Sequence, residues 1–174
     1  PWAVEETAVL RTFTFHKEVI YQDLRNNQDA ISGNPLVKLL AEGPTSRAAQ
    51  SLSFMPVGED KLDETHPPER LASILDIDGT QRQCMAAASA GKSFVMDGPP
   101  GTGKSQTIAN LIAQFLQDNK TVLFVSEKAA ALEVVYNRLT EAGLDSFLLS
   151  LHSHKATRKA VIAELGEALT QHPT

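Results

Sequence analysis

The sequence predicts an α/β fold: a parallel sheet with helices on both faces, formed by residues 71–174 and preceded by a small irregular or helical segment, residues 1–70. Three observations lead there. Short apolar runs alternate with helix-period segments from Leu71 onward, and helix-separated strands of this kind pair in parallel. A glycine-rich loop joins the first of these runs to its helix. Hydrophobic residues make up 42% of the chain against 21% charged, enough for a globular core.

Thr12 to Phe15 alternates and reads as a short strand, and His16 to Ala30 carries Val19, Ile20 and Leu24 at helical spacing. Leu36 to Leu40 follows Pro35, a residue suited to a first helical turn. Gly43 to Arg70 is rich in Pro, Gly, Ser, Thr and acidic residues and reads as a linker or surface loop. Thr80 to Ala90 is alanine-rich and helical, stopped by Gly91; Ser93 to Met96 reads as a buried strand. Gly103 to Gln117 is a periodic helix with Ile108, Leu111, Ile112, Phe115 and Leu116 on one face. Thr121 to Val125 is a second strand. Lys128 to Thr140 is a helix with Leu132, Val135, Tyr136 and Leu139 inward, closed by Gly143. Ser146 to Leu151 is a third strand and Lys155 to Leu169 a third helix.

With 174 residues, the chain suits about one domain, perhaps with an appendage. Its longest apolar run has five residues, Cys84 to Ala88, whereas a membrane-spanning helix needs about 20. No secretory signal opens it, and a single cysteine excludes an internal disulfide framework and suits a reducing cytoplasm. A start at Pro1 without methionine suggests an excised fragment. The net charge of −5 argues against gripping nucleic acid by a bulk positive field. That acidity is local. Residues 1–78 carry 7 basic and 13 acidic groups, residues 79–174 carry 9 and 8, so the second part is nearly neutral.

The loop is Gly98-Pro99-Pro100-Gly101-Thr102-Gly103-Lys104-Ser105, which fits G-x-x-x-x-G-K-[S/T] at every fixed position. Glycines let backbone N–H groups curl around phosphate oxygens, and the helix N-terminus adds partial positive charge. Lys104 can bring a mobile cation to the β- and γ-phosphates, and Ser105 a hydroxyl to Mg²⁺. The alternative is a functionless glycine-rich turn, which the strand–loop–helix setting opposes. Gln81 lies 17 positions before Gly98. Its amide could read the N6/N7 edge of adenine, although a glutamine at a helix start is commonly just solvated.

The stretches Asp76-Ile-Asp-Gly-Thr-Gln81, Ser93 to Asn110 around the loop, Val122 to Val135 and Leu151-His-Ser-His-Lys155 together resemble a superfamily 1 DNA/RNA helicase. Trp2 through Leu24 is similar to the end of the region preceding the motor in a bacterial group with a distinctive N-terminal domain and often a C-terminal nuclease-like module. The resemblance implies a RecA-like motor, of which residues 71–174 are the first part of domain 1A. Gln81 would be the adenine reader of the Q motif. Gly98 to Ser105 would be motif I, with Gln106 beside it, binding ATP and Mg²⁺. Ser126 to Ala129 would fall in motif Ia, with Ser126 and Lys128 touching single-stranded DNA or RNA. His152 and Ser153 resemble motif Ib, except that Leu151 replaces an aromatic residue. The resemblance further implies a second RecA-like domain as partner, and the single cysteine fits a cytoplasmic setting without a membrane.

Such a motor needs an Asp-Glu pair for Mg²⁺ and water activation, and arginine fingers for the transferred charge. No adjacent Asp-Glu pair follows Ser105, so the expectation is nucleotide binding without efficient turnover. Glu127 follows a strand but stands where motif Ia belongs. Ring-forming AAA-type ATPases share Gly-Pro-Pro-Gly-Thr-Gly-Lys but expect an Asp-Glu ending within about 60 residues of the loop; here His152 follows the third strand. A module that binds nucleotide or docks a partner without catalysis, using residues 1–70, is the reading from another class. His152 and His154 lack the further ligands of a metal site. Asp76 and Asp78 only faintly resemble a calcium loop, and Cys84 reads as a small buried hydrophobe.

Overall fold

The computed structural model describes Trp2, residues 16–151, Lys159, residues 161–163 and residues 165–166. Contacts divide the chain into two units, Pro1–Ser53 and Phe54–Thr174. Residues 54–70 therefore pack with the unit that carries the glycine-rich loop.

Four helices occupy the described part of the first unit: α1 (His16–Asn26), α2 (Gln28–Gly33), α3 (Pro35–Glu42) and α4 (Arg47–Leu52). The helix expected over His16 to Ala30 is broken at Asn27, whose side chain bonds back to the carbonyl and carboxylate of Asp23 at 3.0 and 3.1 Å. Side chains start α3 and α4. Asn34 Oδ1 accepts from Leu36 and Val37, and Ser46 Oγ accepts from Ala49, satisfying amides that have no intrahelical acceptor. The strand expected at Thr12 to Phe15 lies outside the described residues.

The second unit opens with short helical turns where a loop was expected: Glu59–Lys61, α5 (Leu62–Thr65) and Pro68–Arg70. Leu62 is fully buried, and Gln83 Nε2 donates to Val57 O at 2.8 Å. The Arg82 guanidinium donates to His66 O and pairs with Asp63 at 2.7 Å. Composition misled here because one buried leucine can anchor a polar segment. Next come α6 (Gly79–Ser89), α7 (Lys104–Gln117) and α8 (Ala129–Glu141). Each agrees with its expected helix within two residues. Gly91 and Gly143, with φ of 71° and 77°, end α6 and α8 in the left-handed region.

Helix α7 is central, packing against both α6 and α8. Ala109 and Ile112 form a buried cluster with Val135 and Leu139 of α8, flanked by Ile74, Leu75, Val122, Phe124 and Leu148. The expected α7 face is shifted: Thr107, Asn110 and Gln114 are buried, while Leu111 and Phe115 are only partly so. Tyr136, expected inward on α8, is exposed.

The expected sheet does not form among the described residues. Ser93 to Met96 and Thr121 to Val125 have no ladder partner, and Asp145–Phe147 is a 3₁₀ turn in place of the start of the third strand. Strand character persists in side-chain alternation. Val122 and Phe124 face the core, while Leu123 and Val125 are exposed. Alternation is local, but a parallel ladder also needs backbone partners distant in sequence. Residues 159, 161–163 and 165–166 are helical, as expected for Lys155 to Leu169; the other residues of that expected span lie outside the described ones.

Candidate functional site

The glycine-rich loop enters α7 through Gly103, the N-cap, at φ 79°. Glycine is required there for two reasons. The backbone is left-handed, and a Cβ would strike the side-chain amide of Gln81. With no side-chain cap on α7, the amides of Lys104, Ser105 and Gln106 have no intrahelical acceptor and form a positive helix end. Inside the loop, Thr102 Oγ1 donates to Pro99 O at 2.9 Å, and Gly98 N donates to Asp97 Oδ1 at 2.8 Å. The Lys104 ammonium folds back into the loop and donates to Gly98 O and, at 2.6 Å, to Pro99 O.

A cavity of about 410 Å³ is lined by Pro100, Gly101, Gly103, Lys104, Ser105, Gln106 and Arg138. The loop, the start of α7 and the basic residues Lys104 and Arg138 thus share one concavity, a composition that suits a polyanion. Arg138 Nη1 is buried and has no hydrogen-bond partner among the described residues. Sequence reading missed Arg138, because an arginine in the last turn of a helix ordinarily signals only dipole compensation.

Gln81 sits beside the loop. Asp78 caps α6 by accepting from Gln81 N at 2.8 Å, and Gln81 Oε1 accepts from Asp78 N at 3.3 Å, closing a capping box. Gln81 Nε2 also donates to Thr102 O at 3.3 Å. Among the described residues one lone pair and one amide proton have no partner, the set needed for bidentate reading of an adenine edge. An open groove of about 470 Å³ runs over Ser73 to Ile77, just before this cap.

The structure brings Gln81 and residues 98–106 together. Ser126 and Lys128 do not line that cavity; Ser126 Oγ donates to Lys128 O and accepts from Lys128 N, both at 3.3 Å, in a turn that opens α8. Lys128 is exposed. His152 and Ser153 lie outside the described residues, as does His154. No group of three metal-ligating side chains occurs among the described residues. No helix among them is long and apolar enough to cross a membrane. Cys84 is partly buried, and burial, aided by the negative charge of Asp78, pushes its thiol pKa up.

Residues 76–171 match a family model described as an AAA domain. The chain is 52% identical over 69 residues to an uncharacterized ATP-dependent helicase, MG140, of Mycoplasma genitalium, an alignment covering 40% of this chain and 6% of that protein. The MG140 homolog of Mycoplasma pneumoniae is 60% identical over 45 residues, 26% of this chain and 4% of that one. The DNA polymerase alpha-associated DNA helicase A of Schizosaccharomyces pombe is 26% identical over 99 residues, 54% of this chain and 15% of that one. The chain thus spans between 4% and 15% of the length of these relatives. No solved structure matches it.

Proposed function

The chain belongs to this AAA-domain family, and from that premise we propose that it is the ATP-binding portion of a superfamily 1 helicase or translocase. In the whole protein, ATP hydrolysis would drive movement along DNA or RNA. The observation that carries the reading is the phosphate loop itself, with its glycine N-cap, open helix amides and Lys104 ammonium around one cavity. Relatives with helicase in their names support this motor over a ring-forming ATPase. In this reading residues 71–174 are the first part of a RecA-like domain 1A, and the segments at 93–96 and 121–125, which have no ladder partner among the described residues, would be strands of its sheet. Residues 1–53 are an accessory segment, and residues 54–70 pack with the loop-bearing unit.

The residues have distinct tasks. The amides of Lys104 to Gln106 receive phosphate oxygens, with Gly98 to Thr102 shaping the cradle. Lys104 gives up the carbonyls of Gly98 and Pro99 and turns its charge to the phosphates, exchanging neutral acceptors for charged ones. Gln81 keeps its bond to the loop while reading the base. Mg²⁺, when bound, neutralises phosphate charge, and Ser105 is its protein hydroxyl ligand. Ser126, Lys128, His152 and Ser153 contact the backbone of a single strand. With no Asp-Glu pair after Ser105, this chain binds Mg·ATP with little turnover.

The test is a Mg·ATP titration of the chain and of Lys104→Ala. Removing a charge-assisted contact should weaken binding about 100-fold; an unchanged titration sinks the assignment. In the longer natural protein, single-stranded DNA or RNA should stimulate ATPase activity. A flat response would favour a docking module without motor activity.

A further inference from the structure

We propose that Asn110, seconded by Gln114, is a positioning residue that sets Gln81 against the phosphate loop and so determines how strongly the site reads the base of its nucleotide. The proposal rests on the reading of this site as a nucleotide site.

Asn110 lies on α7, six residues beyond Lys104, and is wholly buried. A polar side chain at the heart of a helix interface is costly unless its bonds are made. Those of Asn110 go to the segment before α6. Its Oδ1 accepts from Ile74 N and Leu75 N, both at 2.9 Å, and its Nδ2 donates to Leu75 O at 3.0 Å. Two donors and one acceptor on the backbone fix which way the amide faces. One turn later, Gln114 Oε1 accepts from Ala72 N at 2.9 Å. Backbone that would otherwise need a neighbouring strand is thus paired with α7 side chains.

The contacts close a ring. Leu75 stands three residues before Asp78, whose capping box holds Gln81; Gln81 Nε2 donates to Thr102 O; Thr102 leads through Gly103 into α7; and α7 returns to Asn110. The space left by the missing Cβ of Gly103 is the place where Gln81 crosses the loop. Freeing the segment at residues 74–75 opens this ring without altering any residue of the glycine-rich loop. It lets Gln81 drift while the helix amides and Lys104 stay in place. A stability role alone would weaken every ligand together; a positioning role separates base from phosphate.

The experiment compares Mg·ATP, Mg·GTP and Mg·tripolyphosphate binding to the 174-residue chain, to Asn110→Ala and to Gln81→Ala. Asn110→Ala should lose about tenfold in ATP affinity and most of the ATP-over-GTP preference. Tripolyphosphate affinity should stay within about twofold. Gln81→Ala should do the same, and the double variant should lose no more than either single one. If Asn110→Ala does not fold, Gln114→Ala removes only the bond to Ala72 N and should show a smaller loss of base preference with tripolyphosphate affinity unchanged. Equal weakening of ATP and tripolyphosphate, or additive losses in the double variant, would overturn the proposal. Failure of the unaltered chain to bind Mg·ATP would instead overturn the nucleotide-site reading beneath it.

Discussion

Residues 16–53 and residues 54–151 have similar helical patterning and opposite fates. In the first stretch, helices are started by neighbours: Asn34 and Ser46 cap their own amides two or three residues away. None of α2, α3 and α4 contains a buried residue, and Leu40 is 84% exposed. In the second stretch the decisive bonds are long. Ala72, Ile74 and Leu75 are held by side chains 35 to 42 positions away, and Leu62, Met85, Ala109 and Val135 are buried. Local signals suffice to make a helix, but only the second stretch turns helices into a core with a chemically shaped cavity.

Substitutions at either end of this contrast test it, beginning with the largest effect. Leu62→Ala should destabilise the second unit by about 2–5 kcal/mol in chemical denaturation, the usual cost of emptying a core site. A loss under about 1 kcal/mol would return residues 54–70 to the linker that composition suggested. Arg138→Ala should weaken Mg·ATP binding about tenfold without a comparable loss of stability, because Arg138 is a basic residue lining the loop's cavity. Unchanged affinity would confine the site to the loop, Gln81 and α7. Asn34→Ala should cost α3 about 1 kcal/mol, visible as reduced helical circular dichroism, and leave the ATP titration untouched. Leu40→Ala should fall within about 0.5 kcal/mol of the parent. If it costs as much as Leu62→Ala, the first unit has a core of its own and the contrast collapses.

The phosphate loop was legible because every part of it is local: eight consecutive residues and the first turn of the following helix. Gln81 was legible only by resemblance, and its approach to Thr102 explains why a glutamine there is more than solvated. Arg138, Asn110 and Gln114 were not legible. Polar residues on an apolar helix count as surface in a periodicity argument, and their partners lie on other elements. The interrupted stripe from Thr107 through Asn110 to Gln114 was the available signal, since these sit three and four apart on one face.

The same division runs through the strands. The apolar alternation of Val122 to Val125 was readable and survives in its burial pattern. The expected ladder did not follow, because hydrogen-bonded pairing depends on neighbours that no local pattern supplies. By itself, then, the sequence determined where four of the helices run, α3, α6, α7 and α8, where glycine must end or begin them, and which residues form the glycine-rich loop. Tertiary structure decided that residues 54–70 join the core, that α7 holds the backbone of residues 72–75 through buried amides, and that Arg138 lines the loop's cavity. Torsional preference and capping act over a few residues, whereas burial and long-range hydrogen bonds exist only once distant segments meet.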